Sequence, residues 1–296
     1  MMISRRAKDQ LASTFFQSLT ILVSLAIFAI GFVLLAKSTP LLVSNSLREL
    51  LFSSLWHPSK GEFGFYAFIV GTVEVTVLSM ALAGPICTLT SIYVSEYAAK
   101  RVRSAVVLMI DLLAGVPSIV IGLWGVLVIV PAVRSLGALL GYQTTGYSVL
   151  AEGLVLAIMV FPSVISVMQE VLRNVPVSMR EASAGLGATK WQTVKYVVVR
   201  KSAGGIVASL ILGFSRAFGE TIAVLMVVGN VAKVPSTIFD AAYPLPALIA
   251  NDYGDIMSIP LYDSALLFAA LLLLLVVAAF TITGRVILIR TQRRSA

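Results

Sequence analysis

Cysteine and histidine are almost absent from this chain of 296 residues: Cys87 and His57 are the single examples of each. One cysteine cannot close a disulfide framework, and one of each residue cannot assemble a Cys/His metal site. Both read as inert, a small core residue and a loop imidazole. Charge is scarce as well. Asp, Glu, Lys and Arg make up 12% of the chain and hydrophobic residues 58%, whereas an ordinary soluble domain carries roughly 25% charged residues. The chain also lacks a G-x-x-x-x-G-K-[ST] phosphate loop, internal repeats and low-complexity tracts.

What it has instead is long apolar runs. Roughly 20 apolar residues cross a bilayer as a helix, and six runs are long enough, at about 13–36, 65–91, 104–133, 148–170, 204–229 and 264–287. They predict an all-α membrane protein with six transmembrane helices in one domain, 13–290, after a short polar segment, 1–12. The first run follows Arg5, Arg6 and Lys8 and is longer than the ~7–15 residues of a signal-peptide core. It lacks a small-residue cleavage site, so it reads as a retained span. Pro85, Pro117 and Pro131 blur the boundaries of their runs.

The net charge is +8, and its placement orients the chain. With residues 1–12 in the cytoplasm, sixteen of the 22 cations fall on the cytoplasmic side. Lys37, Arg48, Lys60, Arg134 and Lys233 fall outside, and Arg216 sits within a span. Lysine and arginine favour the cytoplasmic side, so the expectation is a multi-pass protein of the cytoplasmic membrane with both termini inside. Two outer connections, 37–64 and 230–263, are long. They either cap the bundle or dock an external partner.

Between the fourth and fifth runs lies a polar stretch, SMREASAGLGATKWQ (178–192). Ser178 and Glu181 have the spacing of a capping box, Gly185 and Gly187 suit the left-handed end of a helix, and Thr189 with Gln192 offers a second box. The spacing predicts helix, glycine turn, helix, with Trp191 as a large apolar anchor. The stretch is either a well-capped connector or a docking element for a cytoplasmic protein. Tethered to the membrane at both ends, it has little freedom to enter a DNA groove, and no nucleic acid is expected as a partner.

The same stretch resembles the EAA loop of ATP-binding-cassette importer permeases. Glu181-Ala182-Ser183 is followed by three residues and Gly187, Val197 and Val199 match the aliphatic positions, and Arg200 stands where the family usually has a closing proline. DLLAGVPSIVIGLWG (111–125) and GFSRAFGETIAVLMVVGN (213–230) resemble the third and fifth spans of phosphate-importer permeases, closer to the C-type subunit than to its A-type paralogue. The resemblance covers most of the chain. It implies a type I importer permease fold (MetI-like) with a coupling loop over about 174–200. Ser178, Glu181, Ala182, Gly187, Thr189 and Trp191 are the candidates for coupling to an ATPase. It implies a transporter subunit rather than an enzyme, with no cofactor in this chain and ATP and Mg bound by a homodimeric ATPase. The other implied partners are an A-type permease and an extracytoplasmic phosphate-binding protein.

Arg216 and Glu220 lie inside the fifth run, where an ionisable side chain costs about 2.5–3.5 kcal/mol on insertion scales. Ser209, Gly213, Arg216, Glu220 and Ala223 fall on one helical stripe, expected to face a partner helix or a water-filled path. Two readings fit the charges: an i,i+4 ion pair that locks helices together, or a cation poised for an anion and held by the carboxylate. The resemblance favours the second. Glu74 is a further pathway candidate, whereas Asp111 reads as interfacial. Pro117 and Ser118, flanked by Gly115 and Gly122, mark a kink that serves a gate or close packing. The implied cargo is phosphate. A permease for molybdate or sulfate and an ATP-independent secondary transporter are the alternatives, the latter having no use for a docking loop.

Overall fold

The computed structural model describes residues 5–253 and 261–295. Residues 1–4 of the N-terminal segment and 254–260 of the connection 230–263 lie outside the described residues. Helix α1 (Arg5–Ser44) leads to a short α2 (Leu47–Phe52) and a two-stranded hairpin, β1 (Trp56–His57) and β2 (Glu62–Phe63). Next come α3 (Tyr66–Ile92), α4 (Lys100–Ala114), α5 (Ser118–Trp124), α6 (Val130–Leu139) and α7 (Val149–Arg173). The chain ends with α8 (Val177–Gly185), α9 (Lys190–Thr193), α10 (Val199–Gly219), α11 (Ile222–Val227), α12 (Leu245–Asp252) and α13 (Tyr262–Ser295). Single π turns at Tyr93–Tyr97, Gly125–Ile129 and Val194–Val198 prolong α3, join α5 to α6 and join α9 to α10.

Among the described residues, six helical stretches are long and apolar enough to cross a membrane: Ser13–Ser44, Tyr66–Tyr97, Ser118–Leu139, Val149–Arg173, Lys190–Gly219 and Tyr262–Val286. Two differ from the runs read in the sequence. The third begins at Ser118, because Pro117 takes an extended conformation (ψ 141°) and separates it from α4. The residue before a proline avoids the helical region, so Val116 cannot continue α4, which ends at Ala114 rather than kinking. The fifth starts as early as Lys190 and stops at Gly219. Pro131 lies just after the π turn that joins α5 to α6, and Pro85 stays inside a continuous α3.

Helix α7 is the central post, packed along α3, α10, α4 and α11, while α1 lies at the edge against α13. Its first-turn donors are satisfied from elsewhere in the chain. Ser148 Oγ accepts from the Ala151 N–H, and the Val149 and Leu150 N–H groups donate to the Asp240 and Ile238 carbonyls at 2.9 and 2.8 Å. The outward-facing apolar side chains of α1, such as Phe28 and Phe32, are the surface of a helix solvated by hydrocarbon. At the hairpin end, Trp56 stacks edge-on against Phe63, Phe65 and Phe68.

Small residues let α10 approach this post. A Cβ on Gly213 would meet Val164 Cγ2 at 2.6 Å and Met80 Cε at 3.0 Å, so three helices meet where only hydrogen fits. Gly213→Val is expected to destabilise the fold by about 1–3 kcal/mol through overpacking. The check is thermal unfolding of the detergent-purified protein, with Gly213→Ala intermediate between parent and valine variant.

Candidate functional site

The polar stretch folds into α8 and α9 at the basic end of the bundle. Helix α8 starts at Val177, two residues earlier than the capping box predicts, with Pro176 as its N-cap and no side-chain cap. The fixed φ of proline (−57°) sets the start of the helix and leaves Ser178 inside the first turn, so the Ser178–Glu181 box does not form. The helix closes as a Schellman motif. The Gly187 N–H donates to the Ala184 carbonyl at 2.9 Å and the Ala188 N–H to the Ser183 carbonyl at 3.2 Å. Gly187 takes the left-handed conformation (φ +82°), whereas Gly185 remains the last helical residue.

The second box does form. Thr189 Oγ1 accepts from the Gln192 N–H at 3.3 Å, and Gln192 Oε1 accepts from the Thr189 N–H at 2.8 Å. Ser183 and Thr193 join the two helices through their hydroxyls at 2.9 Å. Ser178, Glu181 and Ala182 face outward, beside Leu186 and Trp191, which are 90% and 61% exposed. These two large apolar side chains are exposed at the polar end of the bundle rather than on its flank.

From this surface the chain runs without a turn into the membrane. Helix α9 passes through one π turn into α10, and Arg200, where the resemblance expects a closing proline, lies inside that continuous helix. The helix ends at Gly219, Glu220 is extended (φ −75°, ψ 130°), and α11 restarts at Ile222. A second break separates α4 from α5 at Gly115–Pro117. Helices α5 and α11 pack together. A Cβ on Gly122 would lie 3.0 Å from Ala223 Cα and 2.8 Å from Met226 Sδ. Helices α5 and α11, which follow the two breaks, thus touch at Gly122 and Ala223, four positions beyond Ser118 and three beyond Glu220.

Arg216 and Glu220 are not paired. Among the described residues the ion pairs are His57–Glu62 at 3.3 Å and Arg180–Glu96 at 2.8 Å. An i,i+4 pair needs a continuous helix, and the break after Gly219 removes it. The expected stripe divides as well: the buried row on α10 runs Ser209, Gly213, Ala217, leaving Arg216 exposed and Glu220 half-buried. Glu74, half-buried on α3, makes neither an ion pair nor a hydrogen bond with Arg216. Arg216 is thus a guanidinium in an apolar span with no hydrogen-bond or ion-pair partner among the described residues. Asp111 belongs to α4, outside the Ser118–Leu139 stretch, and shares a cleft of about 630 Å³ with Lys100, Arg103 and Arg173. Cys87 is buried in the core, and His57 is on the hairpin.

Three ionisable residues of consequence are missing from the set singled out by sequence. Glu96 and Arg180 pair across 84 positions, which no local pattern announces. Glu152 is visible as an acid within VLAEGLVLAIMV, and it is buried in α7 with Oε2 lacking a hydrogen-bond partner.

Residues 87–293 match the family described as "Binding-protein-dependent transport system inner membrane component". The phosphate transport system permease protein PstC of Xylella fastidiosa (strain Temecula1) is 32% identical over 261 residues, covering 83% of this chain and 80% of that protein. The PstC of Haemophilus influenzae is 32% identical over 291 residues, covering 90% and 92%. In fold, the chain is similar to a chain of a bacterial alginate ABC transporter solved with an alginate-bound periplasmic protein. There the TM-score is 0.61 and the identity 12%, over 95% of this chain and 96% of that one.

The capping geometry makes its own prediction. Thr189→Ala removes the side-chain acceptor at the start of α9, at a cost of about 1 kcal/mol. Hydrogen exchange of the 190–194 amides in the purified protein is expected to speed up roughly fivefold, a change of this size in local stability. Unchanged exchange would mean that the partner helices alone hold α9.

Proposed function

The chain belongs to the family of binding-protein-dependent transport system inner membrane components, and from that premise we propose that it is the phosphate-translocating permease subunit of an ATP-driven importer. The observation that carries the reading is Arg216, an unpartnered guanidinium one turn before a break in a membrane helix, whose continuation α11 packs on the helix that follows a second break. Phosphate carries between one and two negative charges at neutral pH and cannot enter hydrocarbon without donors to replace its water. A guanidinium supplies two parallel N–H donors shaped for an oxyanion, and interrupted helices at mid-membrane are where transporters expose backbone groups to cargo. The names of the relatives, phosphate permeases, agree with that chemistry.

In this reading Glu220 belongs to the switch. Unpaired in the state described, it draws Arg216 aside in the alternate state and so releases the anion. Glu74 lines the same path, and the break at Pro117–Ser118 acts as its gate. The exposed face of Arg216 is completed by a second, A-type permease. An extracytoplasmic phosphate-binding protein delivers the cargo. Both termini lie in the cytoplasm, where a homodimeric ATPase binds ATP and Mg and seats on Ser178, Glu181, Ala182, Gly187, Thr189 and Trp191.

The function is tested by ATP hydrolysis of the complex reconstituted with its binding protein. Stimulation by phosphate, and not by molybdate or sulfate, is expected; stimulation by either of the others alone would reassign the cargo, and uptake without the ATPase would point to a secondary transporter. Arg216→Ala is expected to abolish radiolabelled phosphate entry at normal membrane levels of the protein. Exchanging the charges, Arg216→Glu with Glu220→Arg, is expected to leave uptake lost, whereas a merely structural pair would recover it. For the docking surface, Trp191→Ala is expected to weaken ATPase binding by about 2 kcal/mol, roughly thirtyfold in Kd. A binding isotherm identical to the parent would place Trp191 outside the interface.

A further inference from the structure

One guanidinium at the basic end of the bundle joins three elements. Arg180, on α8, donates through Nη2 to Glu96 Oε1 at 2.8 Å and to the Leu172 carbonyl at 3.0 Å, and through Nη1 to the Val175 carbonyl. Leu172 lies in the last turn of α7, Val175 just beyond it, and Glu96 in the π turn that prolongs α3. The side chains of the ion pair are only 23% and 10% exposed, so water screens it weakly. Two further contacts brace the same junction. Lys190 Nζ sits 4.8 Å from the Tyr97 ring centroid, and Arg103 donates to the Val94 and Ser95 carbonyls at 3.0 and 2.6 Å.

We infer that Glu96 and Arg180 form a clasp that makes the α3 span move with the docking helix. The inference rests on the reading of α8 as the seat of the ATPase. A pull on α8 travels along the chain in two directions, back through Asn174–Pro176 to α7 and forward through the Gly187 turn to α9 and α10. Helix α3 is on neither route. Its basic end is fastened to α8 by the Glu96 carboxylate, so the clasp recruits a third span to the same rigid movement. Arginine suits the task because its planar fork reaches three acceptors at once, while a lysine ammonium is a single point on a flexible stem. Both residues lie away from the outward face of Glu181, Ala182, Leu186 and Trp191, so they act as positioning residues and touch neither ATPase nor cargo.

The test uses the whole complex in liposomes with Glu96→Gln, which keeps the size of the side chain, and separately Arg180→Lys, which keeps its charge. Both are expected to assemble with the ATPase and hydrolyse ATP, while phosphate moved per ATP falls by about fivefold or more, the lower bound of a typical coupling between sites. A parental ratio in both variants would overturn the clasp. A second readout is independent of cargo: the distance between spin labels at Ala184, exposed on α8 outside the named docking face, and Leu89, on a Cys87→Ala background, without nucleotide and with ATP trapped. The parental distance is expected to be the same in both states, and in the variants to diverge when ATP binds. Variants whose distance stays fixed would overturn the clasp even if transport fell. A parent that keeps the fixed distance yet moves no phosphate would refute the cargo assignment and leave the clasp standing.

Discussion

One unbroken helix, Lys190–Gly219, joins the proposed docking surface to Arg216. At 1.5 Å per residue it is about 45 Å long, enough to reach from a polar contact surface to the middle of a bilayer. Its first turn is fixed by the Thr189–Gln192 box, the Gly187 turn and the Ser183–Thr193 hydroxyl pair. Along its length, Gly205 packs against Val171 and Gly213 against Val164 of α7. A rod held so closely has few ways to bend, and a displacement at one end arrives at the other.

Where the rod ends, lipid chemistry dictates the surroundings. A broken helix leaves backbone donors and acceptors without partners, and hydrocarbon offers none, so irregular backbone survives at membrane depth only against protein or water. The helices that follow the two breaks obey this rule by packing together, α5 on α11, with glycines at the contact. Arg216 sits on the approach to the break after Gly219 and faces away from its own bundle. In the proposed function, a second permease or the anion itself complements its charge.

Much of this was legible in the sequence, for identifiable reasons. Apolar length alone locates the membrane helices, and the Thr189–Gln192 spacing and Gly187 announce the docking turn because capping is a local property. The Ser178–Glu181 box failed because Pro176, two residues earlier, had already set the start of the helix. The pairing of Arg216 with Glu220 failed because helical spacing assumes a helix, and nothing in RAFGET other than its glycine hints that the helix stops there. Long-range partners such as Glu96 and Arg180 lie beyond any local pattern. The same limit hides the seclusion of Glu152, since an apolar run reads the same whether it faces lipid or protein.

The central claim is that the helix from the docking surface to the break moves as one body. Its most direct test is the distance between spin labels at Lys190 and Leu212, on a Cys87→Ala background, in the assembled complex. As they lie 22 positions apart, a straight helix sets it near 33 Å, or roughly 1.5 Å for each position. The account predicts one narrow distance distribution, unchanged between the nucleotide-free and ATP-trapped states. A second population, or a shift of more than about one helical turn of 5.4 Å, would show that the helix flexes at its π turn and that the movement does not reach Arg216.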